Sequence, residues 1–419
     1  MNHHQGSALT ARKRNTSTTL RGIAAVSAIL VGAVVGIAPL AGKAAQAQAQ
    51  TPTLSPALAV FVPPVAPVVA HAPKVLFGEN FESINVAVKR LDQYRGAMPT
   101  VMTYTANPFW LSEANCNGMV QSAEGHSASL CGLNPRAQAL ARALGVFDHA
   151  ASPGLNHAVI ELTGSARGAS DLAQLQTAKP IVIGSKNRFV SVSFTAASDR
   201  CAGAGSAGHD PLLQWSVQDG PASHAVFSSP ANPCAAVLRA KSSSKGVVVT
   251  SFVGDSAALV SGSTVGVTLR NGTGDTEGND LAFDDLKVLD VTPQLTASFV
   301  GSPVSAATVS RLSYRITNTT ELGAKSAFTI SNVLPVGVRV ATTKLLSTCT
   351  ATTGNPLVGA KTVNFTASLA AGVSSCTISI EVVAASPGVY LNDASRFALV
   401  GLDASPSTTL TVSSMPRNW

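Results

Sequence analysis

The residues best suited to chemistry are carboxylates, and they gather at the two ends of one long region. Glu79 and Glu82 lie in Val75-Leu-Phe-Gly-Glu-Asn-Phe-Glu82, and Asp275, Glu277, Asn279, Asp280, Asp284 and Asp285 lie some two hundred residues later. Asp is depleted in strands, yet Asp284 and Asp285 sit inside Leu281-Ala-Phe-Asp-Asp-Leu-Lys-Val288. Alternation there puts Leu281 and Phe283 on one face and Leu286 and Val288 on the other, which predicts a partly buried strand. Acids in a packed strand need a partner, and a hard cation such as calcium, bound by several oxygens, would supply one. Asp275-Thr-Glu-Gly-Asn-Asp is no EF-hand loop, because it lacks the glycine at the sixth position and the closing Glu. The competing reading is a solvated hairpin with Asp turn chemistry.

Other chemistry is sparse. Tyr94, Tyr104, Phe109 and Trp110 could offer flat faces for stacking on sugar rings; for Phe109 and Trp110 core packing is the simpler expectation. His71, His126, His149, His157, His209 and His224 are scattered through turn-like sequence, with no HExxH and no G-x-S-x-G elbow. His209-Asp210 stands alone in a Gly-rich loop. Carboxylate catalysis of the glycosidase kind needs two acids facing one cleft at a set separation, and nothing in the sequence shows that. The expectation is a protein without turnover.

Six cysteines fall into close pairs, and in a secreted chain they read as disulfides. Among fifteen connectivities for six cysteines, sequential pairing is preferred: Cys116–Cys131, Cys201–Cys234 and Cys349–Cys376. Secretion is read from residues 1–49, where Arg12-Lys-Arg14 and Arg21 precede the apolar run Gly22 to Leu40. Ala-x-Ala exits follow at Ala45/Ala47 and Ala47/Ala49. This is the pattern of a Sec-type signal peptide. Without those residues the chain holds 24 basic against 22 acidic residues, a net of +2, so charge gives no argument for nucleic acid. No transmembrane span is expected in the mature chain. The charged fraction, 12%, is about half the ordinary globular value. That low charge, with abundant Ser and Thr, suits secreted β-rich modules.

The elements that must position these residues are mostly strands. Residues 50–73 alternate Pro with Val and Ala and read as a semi-rigid linker. Residues 74–290 carry one convincing helix, Asn134 to Leu144, with Pro135 at N1. Alternating runs such as Ala158–Leu162, Phe189–Phe194, Leu212–Val217, Lys245–Phe252 and Thr264–Leu269 complete the region. They predict a jelly-roll-like β-sandwich. Residues 291–414 carry eight short strand candidates, including Ser310–Thr317 and Ser375–Val382, in the size range of an immunoglobulin-like sandwich. Residues 415–419 are a tail. The expected class is all-β.

The second region resembles the immunoglobulin-like conserved-repeat modules of bacterial, actinobacterial-type surface proteins (the "domain of unknown function eleven" superfamily). Thr292-Pro-Gln-Leu-Thr-Ala-Ser-Phe299, Ser313–Leu322, Val333-Leu-Pro-Val-Gly-Val-Arg-Val340 and Ser375–Val382 carry the resemblance. The first region resembles the lectin-like or carbohydrate-binding-module-like jelly rolls that precede such repeats, through Phe77–Glu82 and Asn279–Leu286. The resemblance implies adjacent first and last strands sharing a structural calcium, for which Glu79, Asp284 and Asp285 are the candidate ligands. It also implies a spacer role for the second region; the candidate ligand-binding residues, on the stacking argument above, are Tyr94, Tyr104 and Trp110. The chain ends at Ser414-Met-Pro-Arg-Asn-Trp419 without the sorting motif, apolar span and basic tail usual in such proteins. The expected function is a secreted or surface-displayed, adhesin-like protein that binds a glycan or an extracellular matrix protein. The alternatives are a purely structural envelope spacer or assembly protein and a secreted polysaccharide hydrolase. Oligomeric state is not legible.

Overall fold

A computed structural model describes residues 69–84, 88–124, 129–162, 171–199, 201, 210–235, 240–241, 246–273, 280–403 and 407–414. The signal-peptide reading, most of the linker, Asp275, Glu277, Asn279, His126, His209 and the tail lie outside the described residues. The all-β expectation holds, with a single α-helix among the described residues. Residues 66–419 form one compact unit built on hydrophobic cores that change over at Leu289.

The first sandwich is organised by the strand Leu281–Asp290, which pairs antiparallel with Arg188–Ser198 along one side. Its other side is shared. Residues Leu281 to Phe283 pair with His157–Glu161, whereas Leu286 to Asp290 pair with Lys74–Glu79. The facing sheet runs Ala222–Ala225, Leu213–Asp219, Thr264–Asn271, Ala173–Thr177 and Tyr104–Thr105. Trp215, Phe194, Phe283 and Phe81 fill the space between them. Burial of such side chains contributes roughly 1.5–3 kcal/mol each.

The switch of partners coincides with a β-bulge between Asp284 and Lys287. Asp285 there has a φ of 52°, a left-handed conformation that Asp tolerates better than most residues. The extra residue resets the alternation, so Leu281, Phe283, Leu286 and Val288 all enter the same core. The expectation that the two pairs face opposite ways is therefore corrected.

The outer face of this sheet is covered by the helix Pro135–Phe147. Asn134 caps it, its Oδ1 accepting from the backbone N–H of Arg136 at 3.0 Å and of Ala137 at 3.4 Å. Ala137, Leu140, Ala141 and Leu144 pack on Ala158, Ile160, Ala197 and Ala282. Small residues on the strands let the helix lie close.

In the second sandwich, Gln294–Val300, Val309–Thr317, Ser375–Ala384 and Val338–Ser347 face a sheet of Thr350–Thr353, Thr362–Leu369, Ala324–Val333 and Phe397–Val400. Tyr314, Phe328 and Phe365 lie between them. The three sequential disulfides form as read, Cys116–Cys131, Cys201–Cys234 and Cys349–Cys376. Short parallel pairing of Ser256 with Ala324 and of Ala257 with Lys325 runs one sheet across the junction.

Candidate functional site: a carboxylate cleft at a strand fork

Where Lys74–Glu79 ends and His157–Glu161 begins, Leu281–Asp290 loses one neighbour before gaining the next. The gap is a cleft of about 460 Å³. Asn80 and Glu82 enter from the end of the first strand, and Asp284 and Asp285 from the bulge. Asp148 and Asn156 come from the loop after the helix. Four carboxylates thus converge from three segments far apart in sequence.

Each is held differently. Asp284 is buried; its Oδ2 accepts from Asn156 Nδ2 at 2.9 Å and its Oδ1 from the Asp285 N–H at 2.6 Å. Burial pushes its carboxyl well above the usual range despite those bonds, with Asp148 and Glu82 adding repulsion. Asp148 stands at the exposed rim as the C-terminal cap of the helix. An acid there opposes the negative end of the helix dipole. Its carboxyl is pushed up to about 6, first by the desolvation it still suffers at the cleft and then by Asp285, with solvent at the rim screening part of the effect. Asp285 pairs with Lys287 Nζ at 2.6 Å. Glu82 accepts from the His157 N–H at 2.6 Å and meets His157 Nδ1 at 2.8 Å.

The structure brings Asp284 and Asp285 together, but not Glu79. The Glu79 carboxylate turns into the core, accepting from the hydroxyls of Tyr94 and Tyr104, each at 2.9 Å, and from the Phe81 N–H at 3.0 Å. As a ligand shared with the aspartates it is replaced by Glu82, three residues on, which lines the cleft. Tyr94, Tyr104 and Trp110 are 0%, 2% and 1% exposed, so they form no stacking platform. The stacking reading of Tyr94, Tyr104 and Trp110 is corrected, because the segment that carries them folds beneath the sheet as core; core packing is the simpler expectation for Trp110, which meets it, and for Phe109, which does not. Phe109 alone of that group is exposed. Asp280 is buried under Arg136, whose Nη1 donates to it at 2.6 Å, outside the cleft lining.

Sequence reading missed Asp148, Asn156 and the buried Glu161. The signal for Asp148 was an acid placed against a helix C-terminus, where Lys or Arg is the usual choice. Glu161 has no cation beside it among the described residues. It accepts from Gln174 Nε2 at 2.9 and 2.8 Å and from Asn271 Nδ2 at 3.3 Å. Burial raises its pKa from 4.5 to about 7, partly offset by Asn271, Trp110 and Gln174.

A folded pKa above the unfolded one means that the folded state binds the extra proton. The stabilisation is complete below about 4.5 and is lost as pH rises through about 7. The chain should therefore melt several degrees higher at pH 5 than at pH 8, by about 3 kcal/mol from this group. Glu161→Gln should flatten that slope in calorimetry, because an amide has no proton to take up in this range; its N–H can also donate to Gln174 Oε1, a buried atom with no partner, which favours a folded variant. An unchanged slope would refute the assignment to Glu161.

Among the described residues, one group of three His, Cys or acid side chains has ligand atoms all within 4.8 Å: Cys201, Asp210 and Cys234. Its two cysteines are joined in a disulfide and offer no thiolate. No helix among the described residues is long and apolar enough to cross a membrane.

Residues 293–412 match the model of a family described as Domain of unknown function (DUF7933). No curated protein matches. Among solved structures, the N-terminal domain of the Streptococcus gordonii adhesin Sgo0707 aligns over 82% of this chain and 88% of its own, at 10% identity and a TM-score of 0.26. A mutant of Salmonella alpha-2-macroglobulin aligns at 11% identity and a TM-score of 0.21, and native Escherichia coli alpha-2-macroglobulin from domain MG7 onward at 9% and 0.20. The alignments take in 48% of this chain in both cases, but only 13% and 33% of those two chains. Likeness at these scores carries no argument about function.

Proposed function

We propose that this is an extracellular binding protein without turnover, whose first sandwich holds a cation-supported ligand site and whose second acts as a spacer. Three disulfides and no free cysteine among the described residues suit an oxidising compartment. The observation that carries the reading is the convergence of Glu82, Asp148, Asp284 and Asp285 on one open cleft. The donor chemistry is the kind calcium takes: carboxylate oxygens with the amide oxygens of Asn80 and Asn156 beside them, and no sulfur or imidazole in the lining. No three of these carboxylates bring ligand atoms within 4.8 Å of one another, so an ion would have to draw their side chains together. Glu82, Asp148 and Asp285 would hold the ion, with Asp284 fixing the bulge beneath them. A bound ion would supply positive charge for the hydroxyls of a glycan or the carboxylate of a matrix protein.

The first test is calcium titration by calorimetry, followed by a glycan and matrix-protein array with calcium and with chelator. Binding lost with chelator and in Asp285→Asn supports the reading. Calcium binding should weaken as pH falls through about 6, where Asp148 takes up its proton. One linked proton makes affinity about tenfold lower per pH unit below that point. Heat of calcium binding that is absent at every pH would remove the cation from the proposal. Array silence together with self-association would favour the structural alternative.

Hydrolysis is the second reading, favoured by one observation: Asp148 stays protonated up to about 6 in the same cleft as Asp285. Release of sugar from a polysaccharide panel, abolished in Asp148→Asn with the fold intact, would displace the binding reading.

A further inference from the structure

The end of the second sandwich farthest from the first carries a feature that a spacer does not need. The strands Ala324–Val333 and Thr362–Leu369 run between the junction and this free end. Three connections meet there. Leu334 donates its N–H to the Lys361 carbonyl at 2.8 Å, and Gly359 donates to Val340 at 2.9 Å. Arg396 ties in the third, donating Nε to the Leu391 carbonyl at 3.1 Å and Nη1 to Leu334 at 3.5 Å. Tyr390 lies against Gly337, where an added methyl would come within 2.8 Å of its ring.

These connections and the adjoining strand display Val333, Val336, Leu357, Val358, Val389 and Leu391, all exposed large hydrophobics. Val336 is 88% exposed, held out by the Pro335-Val-Gly337 turn. Val389 and Leu391 share one face of Gly388–Asn392, the edge strand of its small sheet. Soluble proteins scatter exposed aliphatics singly, and a contiguous group marks a contact surface. The charge around it is mostly positive. Lys361 and Arg396 lie in the same connections and Arg339 at the start of the strand Val338–Ser347, against one acid, Asp393, whose carboxylate accepts from the N–H of Ser395 at 3.1 Å.

We infer that this end seats on an anionic lipid surface, with the aliphatic side chains entering the headgroup boundary and Arg339, Lys361 and Arg396 lying among the phosphates. Aliphatic side chains alone would serve a protein partner as well. The ring of cations around them selects a surface that is apolar beneath and negative at its rim, which is the chemistry of an acidic bilayer. An anionic polymer in solution would use the cations and leave the six aliphatics in water. The contact is peripheral, and it rests on the second sandwich alone, so its failure would leave the cleft reading intact.

The test uses the full chain carrying Val336→Trp as a local reporter, with the unsubstituted chain as the spectral reference. Phosphatidylglycerol vesicles should shift the reporter's emission to the blue, and brominated lipid should quench it. Phosphatidylcholine vesicles or high salt should reduce both effects. Lys361→Glu with Arg339→Glu should weaken partition roughly tenfold or more. Val336→Asp with Leu391→Asp should lower cosedimentation with the same vesicles by a similar factor, while circular dichroism stays unchanged. A reporter that is not quenched by any vesicle overturns the inference. So does a blue shift that needs no vesicles and grows with protein concentration, which would assign this end to a second copy of the chain.

Discussion

Replacing Glu79 with Ala should lower the melting temperature by roughly 10–20 °C, while leaving calcium affinity in whatever folded protein remains unchanged. Glu79 is 5% exposed and has no cation partner among the described residues; its carboxylate is held by two tyrosine hydroxyls and one backbone N–H. Burial chiefly, and the carboxylate next, raise both tyrosine pKa values, so Tyr94 and Tyr104 remain donors throughout the working range. Removing the acceptor strands two buried O–H groups at about 1–3 kcal/mol each, and hydrogen bonds to a charged group sit at the upper end. The sum is roughly 4–6 kcal/mol, at about 2–4 °C per kcal/mol for a fold of this size. Glu79→Gln keeps one acceptor oxygen and should cost about half. Gly96→Ala probes the site from outside, because its methyl would overlap Glu79 Oε2. If Glu79→Ala melted within about 2 °C of the parent and lost calcium instead, the core assignment would fall and the original ligand set would return.

Arg188→Ala should lower the melting temperature by about 10 °C. The Arg188 guanidinium donates to Asp290 Oδ2 through Nε at 2.9 Å and Nη2 at 2.6 Å, and reaches Asp403 of the second sandwich through Nη1 and Nη2. Asp290 is buried, so losing its cation leaves a charge out of water, at a cost of about 3–5 kcal/mol. Asp403 is 40% exposed at its side chain, so Asp403→Ala should cost less than about 1 kcal/mol. That asymmetry is the check. Equal losses for the two variants would show that the pair to Asp403, and not the buried Asp290, carries the stability.

Much of the fold could be read from the chain. Asn134-Pro135 and the spacing of Ala137, Leu140, Ala141 and Leu144 announced the helix, which continues to Phe147. Alternation found Arg188–Ser198 and Ser375–Ala384. It did not find Ala173–Thr177, which is short and carries few apolar residues, or Gly388–Asn392, whose consecutive Val389-Tyr-Leu391 does not alternate. The bulge was written in the sequence as two alternations out of phase, Leu281/Phe283 and Leu286/Val288, with the aspartates between. Taking them as one regular strand hid it. Half of the cleft followed from the unusual Asp pair. The rest depends on where the helix ends and where two strands part, and tertiary pairing decides both. Tyr94, Tyr104 and Trp110 could not be placed by residue type, since an aromatic serves a core and a sugar equally well.

Phe189, Leu289 and Val291 belong to the core of the second sandwich, yet all three precede the family match at residues 293–412. The Phe189 N–H donates to Thr292 Oγ1 at 2.9 Å, and its ring lies where Gly401 leaves no room for a side chain. The unit of inheritance and the unit of folding therefore have different edges. A cassette cut at the family boundary would arrive in a new host with three holes in its interior. A graft must carry the strand that holds Phe189, and with it the sheet that holds the strand.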